Sequence, residues 1–202
     1  MSKKNRAALR RSLLTLSLVL VVAFAAVGGT LAWLTSSSEQ VVNTFTTGKV
    51  NITLDEADTN EYGVAVSGAS RVTENDYLLM PGHTYVKDPI VHVTADSEPC
   101  YLFVEVINEL AAIEADTKIV DQMKAKGWEN LSGNIYYYST VVDARDGAKD
   151  IPVFETFKVV GTLENGTTYD NKTIKVTAYA IQADGFDTAA EAWEQKPTTW
   201  PQ

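Results

Sequence analysis

Two histidines, one cysteine and two acidic clusters are where this 202-residue chain has metal-binding or nucleophilic chemistry to offer. His83 follows the turn-forming Pro81-Gly82, and His92 sits within the apolar Ile90-Val91-His92-Val93. There is no His-Glu-x-x-His motif, and the nine-residue separation of the two does not set both on one helical face. Both are therefore expected in structural roles, with zinc ligation as the alternative. Cys100 opens an apolar run and is expected as a buried, inert thiol. As the single Cys it excludes an intramolecular disulfide. Asp55-Glu56-Ala57-Asp58 with Asn60-Glu61, and Asp184 with Asp187, offer the hard oxygen ligands that calcium takes. Their spacing lacks the order of an EF-hand loop, so solvated loops are the expectation and calcium the alternative. Neither a nucleophile elbow nor a Gly-rich phosphate loop occurs. No residue is assigned a catalytic, cofactor-binding or metal-ligating role, and a non-enzymatic protein is expected.

Tyr136-Tyr137-Tyr138 would suit a carbohydrate-stacking surface. In a strand, however, Tyr136 and Tyr138 share one face and Tyr137 takes the other. Core packing on one side and a solvated ring on the other is the expectation.

The elements that must hold these side chains read as strands. Val50, Ile52 and Leu54 alternate with Asn51, Thr53 and Asp55. Residues 90–93 lead through a turn at 95–99 into the apolar run 101–107. Further strands are expected at 135–142, 153–160 and 173–181, separated by clusters such as Glu164-Asn165-Gly166 and the polar stretch 143–150. Short polar turns without alternating helices argue for an antiparallel sandwich rather than a parallel sheet. Two segments depart from this. Residues 109–126 carry Leu110, Ile113, Ile119, Val120 and Met123 at loose helical spacing, a helical insertion between strands. Residues 187–193 read as a short C-terminal helix with Asp187 as cap and Glu191 in the first turn.

The charge is uneven. Lys3, Lys4, Arg6, Arg10 and Arg11 precede the first acidic residue, Glu39, and the rest of the chain carries 12 basic against 26 acidic residues, a net of −14. A body that acidic repels phosphate backbones, which argues against nucleic-acid binding. The basic head is followed by the uncharged apolar run 13–27, then by Gly28-Gly29 and the small-residue stretch Thr30-Leu31-Ala32. These are the three parts of a secretory signal, an N-terminal signal helix. Residues 1–32 are expected as the signal peptide, with cleavage between Ala32 and Trp33, leaving 33–202 as one mature domain. The alternative is an uncleaved membrane anchor, since the apolar run extends toward the roughly 20 residues of a spanning helix. Membrane contact is expected only through this segment before cleavage. No Cys stands just after the apolar run, where lipid attachment would need one, and with the end Lys-Pro-Thr-Thr-Trp-Pro-Gln no covalent anchoring of the mature chain is expected.

Three blocks carry a family resemblance. Gly28-Gly29-Thr30-Leu31-Ala32-Trp33-Leu34-Thr35 is followed by Asn43-Thr44-Phe45-Thr46-Thr47-Gly48-Lys49-Val50. Met80-Pro81-Gly82 precedes Lys87-Asp88-Pro89 and Pro99-Cys100-Tyr101-Leu102-Phe103-Val104. Ala180-Ile181-Gln182-Ala183-Asp184-Gly185-Phe186 leads into 189–193. Together they resemble the exported TasA, CalY and camelysin group of Gram-positive bacteria. The resemblance implies a jelly-roll-like β-sandwich, export through a SipW-type signal peptidase, and self-association into fibres of the biofilm matrix or cell surface. It also implies that an N-terminal strand of one subunit completes the sheet of the next. Here Trp33, Val41 and Phe45 share one alternation phase and are the donor-strand candidates. The same segment could equally be the first strand of its own sheet. Two further readings stay open. One is a camelysin-like surface metalloendopeptidase, for which His83, His92 and nearby carboxylates would have to converge. The other is a monomeric, membrane-anchored adhesin or accessory protein.

Overall fold

The computed structural model describes Ser17 and residues 48–163 and 168–200. The chain divides into two units, Met1–Thr46 and Thr47–Gln202, and every strand named below belongs to the second. Apart from Ser17, the expected signal peptide 1–32 lies outside the described residues, as do the Ala32/Trp33 cleavage site and the donor-strand candidates Trp33, Val41 and Phe45.

The second unit is all-β, with antiparallel sheets and few helices. Its strands are β1 Ile52–Asp55, β2 Thr84–Val86, β3 Ile90–Val93, β4 Cys100–Asn108, β5 Trp128–Ser132, β6 Ile135–Tyr138, β7 Lys149–Pro152, β8 Thr156–Lys158 and β9 Ile174–Gln182. A 3₁₀ turn at Ala111–Ile113 and the helices α1 Ile119–Ala125 and α2 Ala189–Glu194 complete it. The strands form three sheets, ordered β1-β3-β7, β2-β8 and β5-β6-β4-β9.

Period-two patterning decides which side chains go inward. On β4, Cys100, Leu102, Val104 and Val106 enter the main core, where they join Val91 and Val93 of β3. Ile174, Val176, Ala178 and Ala180 of β9 pack on the same core. The opposite face of the four-stranded sheet is covered too. Phe103 is buried there with Ala189 and Ala192 of α2, flanked by Tyr101, Tyr137, Tyr179 and Trp193. As expected for the tyrosine run, Tyr136 and Tyr138 pack on the main core; Tyr137, on the other face, stays partly exposed, rests against this second cluster and donates its hydroxyl to Glu129 at the surface.

The strand at 135–142 stops at Tyr138; a bend follows, and Val142 returns to pair with Cys100 through bonds of 3.0 and 2.9 Å. Lys149 and Asp150, read as part of a polar turn, open β7. That strand ends at Pro152; one more ladder bond follows, from Val153 N–H to Pro89 O at 2.9 Å, and Pro89 has no N–H to return it. In the segment 153–160 only Thr156–Lys158 forms a strand, while Val153 and Phe154 drop into the core off the sheet. Besides β7, two strands fall outside the sequence expectations. Thr84–Val86 is too short to show alternation, and Trp128–Ser132 forms a hairpin with β6 through Gly133, whose φ of 53° suits a tight turn.

The helical insertion at 109–126 is present as two short pieces. Leu110, Ile113, Ile119 and Met123 are buried, whereas Val120 faces out. Lys118 cannot cap α1, and the buried Glu114 does so instead, accepting from Ile119 N–H at 2.5 Å and from Asn108 Nδ2 at 3.1 Å. At the C-terminal helix the cap is Thr188, one residue beyond the expected Asp187. Its hydroxyl accepts from Glu191 N–H at 3.2 Å, while Glu191 reaches back to Asp187 N–H at 3.1 Å.

Candidate functional site

Among the described residues, two strand edges face one another without pairing: β1 has one ladder partner, β3, and β9 has one, β4. In an antiparallel ladder alternate residues turn their backbone groups toward the partner. Thr94 N–H bonds Asn51 O at 3.0 Å, which sets the phase of β1. Ile52 and Leu54 therefore present their N–H and C=O groups to the side away from β3. On β9 the phase is set by Glu109 N–H to Thr173 O at 3.0 Å and Ala183 N–H to Pro99 O at 2.7 Å. Ile174, Val176, Ala178 and Ala180 accordingly turn theirs away from β4. Ile52, Thr53 and Leu54 with Val176, Thr177 and Ala178 line a cavity of about 250 Å³. Toward Asp55 and Ile174 a second cleft of about 1390 Å³ opens, floored by residues such as Tyr77, Tyr85 and Phe157. The site is thus a groove of mixed polar and apolar lining, bordered by two rows of backbone donors and acceptors that have no ladder partner among the described residues.

A polar network holds the solvent face of β1, β3 and β7 at the end of this groove. His92 Nδ1 lies 2.7 Å from Asp150 Oδ1 on β7, and its Nε2 lies 3.0 Å from Asp55 Oδ1 on β1. Burial works against the imidazolium, but these two carboxylates outweigh it and raise the His92 pKa above its ordinary 6.5. Burial likewise works against the Asp55 carboxylate, and hydrogen bonds from His92 and Arg71 outweigh it, holding Asp55 below its usual range. Arg71 Nε donates to Asp55, Nη1 to Asp88 Oδ2 at 3.1 Å, and Nη2 to the main-chain oxygens of Asp88 and Asp55 at 2.8 and 3.2 Å. Asp88 in turn accepts from Ala57 N–H at 2.7 Å. The long connection from β1 to β2 is pinned to the sheet by this fork.

The other expected chemistry is dispersed. His83 Nε2 lies 2.7 Å from Tyr62 O and its ring packs edge-on to Tyr85, so His83 and His92 have no partner in common. Cys100 is fully buried, and burial pushes its thiol up to about 11. Asp55 and Glu56 of the first acidic cluster are engaged by Arg71, His92 and Lys87. Among the described residues no group of three or more His, Cys, Asp or Glu is gathered as a metal-binding set. Sequence reasoning missed Arg71, Lys87 and Asp88, whose partners lie 16, 31 and 17 positions away in the chain. The one local signal was a lone Arg within a long polar connection.

Among the described residues no helix is long and apolar enough to cross a membrane. The fold is all-β, with antiparallel sheets and few helices. No protein-family model, curated protein or solved structure matches the chain.

Proposed function

We propose that the chain is a secreted structural subunit of an extracellular fibre, of the kind formed by the TasA, CalY and camelysin group. On this reading the sheets form a jelly-roll-like sandwich, residues 1–32 are removed by a SipW-type signal peptidase, and subunits join head-to-tail by N-terminal donor-strand exchange. The observation that supports it is the groove between β1 and β9, where Ile52 and Leu54 face Val176 and Ala178 and the backbone groups on both sides have no ladder partner among the described residues. A strand entering with Trp33, Val41 and Phe45 in one phase would pair its backbone with one of these edges and pocket alternate side chains. Because the donated strand and the accepting edge are different surfaces, the contact is heterologous and propagates into a filament. The acidic body favours a partner segment of low negative charge. Residues 33–47 carry a single charged residue, Glu39.

Negative-stain electron microscopy of purified 33–202 beside 49–202 tests this, with circular dichroism to establish that both are folded. Fibres from the longer chain and none from the shorter are expected. Monomers from both, or fibres from both, would overturn strand donation by the N-terminal segment.

A further inference from the structure

We propose that Lys87 and Asn75 become joined by an intramolecular amide bond, with Glu56 as the proton-transfer group. Lys87 Nζ lies 2.8 Å from Glu56 Oε2, and Asn75 Nδ2 lies 3.0 Å from Glu56 Oε1. One carboxylate thus holds the amine and the side-chain amide on its two oxygens. The site is sheltered, with the Lys87 and Glu56 side chains only 13% and 7% exposed. Tyr77 forms one wall, its ring 6.0 Å from Lys87 Nζ and its hydroxyl fixed on Val86 O at 3.0 Å.

A lysine–glutamate ion pair needs no third member, and the surroundings of Asn75 are those of an acyl group held for attack. Asn75 Oδ1 accepts from Thr59 N–H at 2.9 Å and from the Thr59 hydroxyl at 3.1 Å. Two donors on one carbonyl oxygen polarise it and stand ready for the charge that develops there when a nucleophile adds. Asn75 Nδ2 is also held on Ala57 O at 2.9 Å. Confinement of amine and amide on one carboxylate supplies the proximity that an amine and an amide lack in water.

The step balances without any further reactant. Lys87 passes one proton to Glu56, leaving a free lone pair on Nζ. The lone pair forms a bond to Asn75 Cγ, and the C=O electrons move onto Oδ1, where the two Thr59 donors stabilise them. Collapse re-forms C=O and breaks the Cγ–Nδ2 bond. Nζ gives up its excess proton, Glu56 relays protons to Nδ2, and Nδ2 leaves as an ammonium ion. One ammonium and one amide become one amide and one ammonium, and Glu56 ends as the carboxylate it began. The product ties the β1–β2 connection to the residue that follows β2, restricting the unfolded chain as a cross-link does.

The test is tryptic peptide mapping by mass spectrometry of the folded, purified full chain. Trypsin cuts after Arg71 and, in an unmodified chain, after Lys87. The cross-link predicts no cleavage at Lys87, and a peptide 72–118 lighter by one ammonia, about 17 Da. Lys87→Arg and Glu56→Gln, checked as folded by circular dichroism, should restore full mass. In Asn75→Asp the same bond forms with loss of water, so its product should reach the wild-type cross-linked mass. Normal cleavage at Lys87 with full mass in the folded wild type would overturn the proposal. So would an ammonia deficit that persists in Lys87→Arg, since ring closure of Asn75 on its own backbone costs the same mass without using the lysine.

Discussion

His92 and Asp150 stand directly opposite one another on β3 and β7, with Nδ1 and Oδ1 2.7 Å apart. The other imidazole nitrogen reaches Asp55 on β1, so one side chain spans all three strands of its sheet. The charged form of the ring is the one both carboxylates hold.

Stability should therefore follow pH with a definite sign. The folded-state pKa of His92 is raised, so its contribution is fully present below the ordinary value of 6.5 and is lost as pH rises through the raised value. Asp55 is lowered, so its contribution is present above 3.8 and is lost as pH falls through the lowered value. The network should be strongest between these limits. Urea midpoints measured across pH should fall on the alkaline side, and His92→Gln should flatten that fall. An unchanged alkaline slope in the variant would assign the effect to other groups.

Arg71 should be hard to replace. Its guanidinium serves two carboxylates and two main-chain oxygens at once. Arg71→Ala leaves Asp55 and Asp88 short of a partner and should cost about 1–3 kcal/mol in chemical denaturation. Arg71→Lys should recover little of it, because a point charge cannot reproduce the fork. Full recovery would mean that charge alone, not geometry, pins the β1–β2 connection.

Gly63 and Gly68 separate steric from conformational demand. Both have positive φ, 68° and 78°, but a Cβ at Gly63 would come within 2.8 Å of Tyr85 Cα, while none of the surroundings of Gly68 lies within 4 Å. Gly63 O also accepts from Val86 N–H at 2.9 Å, so the loop cannot simply move aside. Gly63→Ala should cost about 2–4 kcal/mol and Gly68→Ala about 1 kcal/mol. Thermal melts of the two variants compare them directly, and equal losses would remove the steric argument.

Trp193 holds α2 to the outer face of the four-stranded sheet. Its ring centroid lies 4.8 Å from Phe103 and 5.6 Å from Tyr179. Trp193→Ala should cost about 2–3 kcal/mol and expose residues beyond Gln182 to proteolysis. Limited proteolysis with an unchanged cutting pattern would show that α2 docks without it.

Alternation made β1, β3 and β9 legible, because a strand with one face in a core must repeat every two residues, while β4, covered on both faces, showed as the apolar run 101–107. Val50, Ile52 and Leu54 show this repeat without any knowledge of their neighbours. The short β2 and the polar start of β7 carried no such signal, since three or four residues half in solvent do not constrain their own sequence. The wrong cap at the C-terminal helix had a similar origin, as Asp187 and Thr188 are both good caps and only the backbone path selected Thr188. Partnership was hidden more deeply. Which of the many acidic residues Arg71, Lys87 and His92 would meet depends on how β1, β3 and the β1–β2 connection close in space. The residue types with chemistry to offer were determined by the sequence itself. That Glu56 gathers Lys87 and Asn75, and that β1 and β9 face each other unpaired, was decided by tertiary structure, because contacts across tens of residues follow from the packing of sheets around a shared core and not from any local preference.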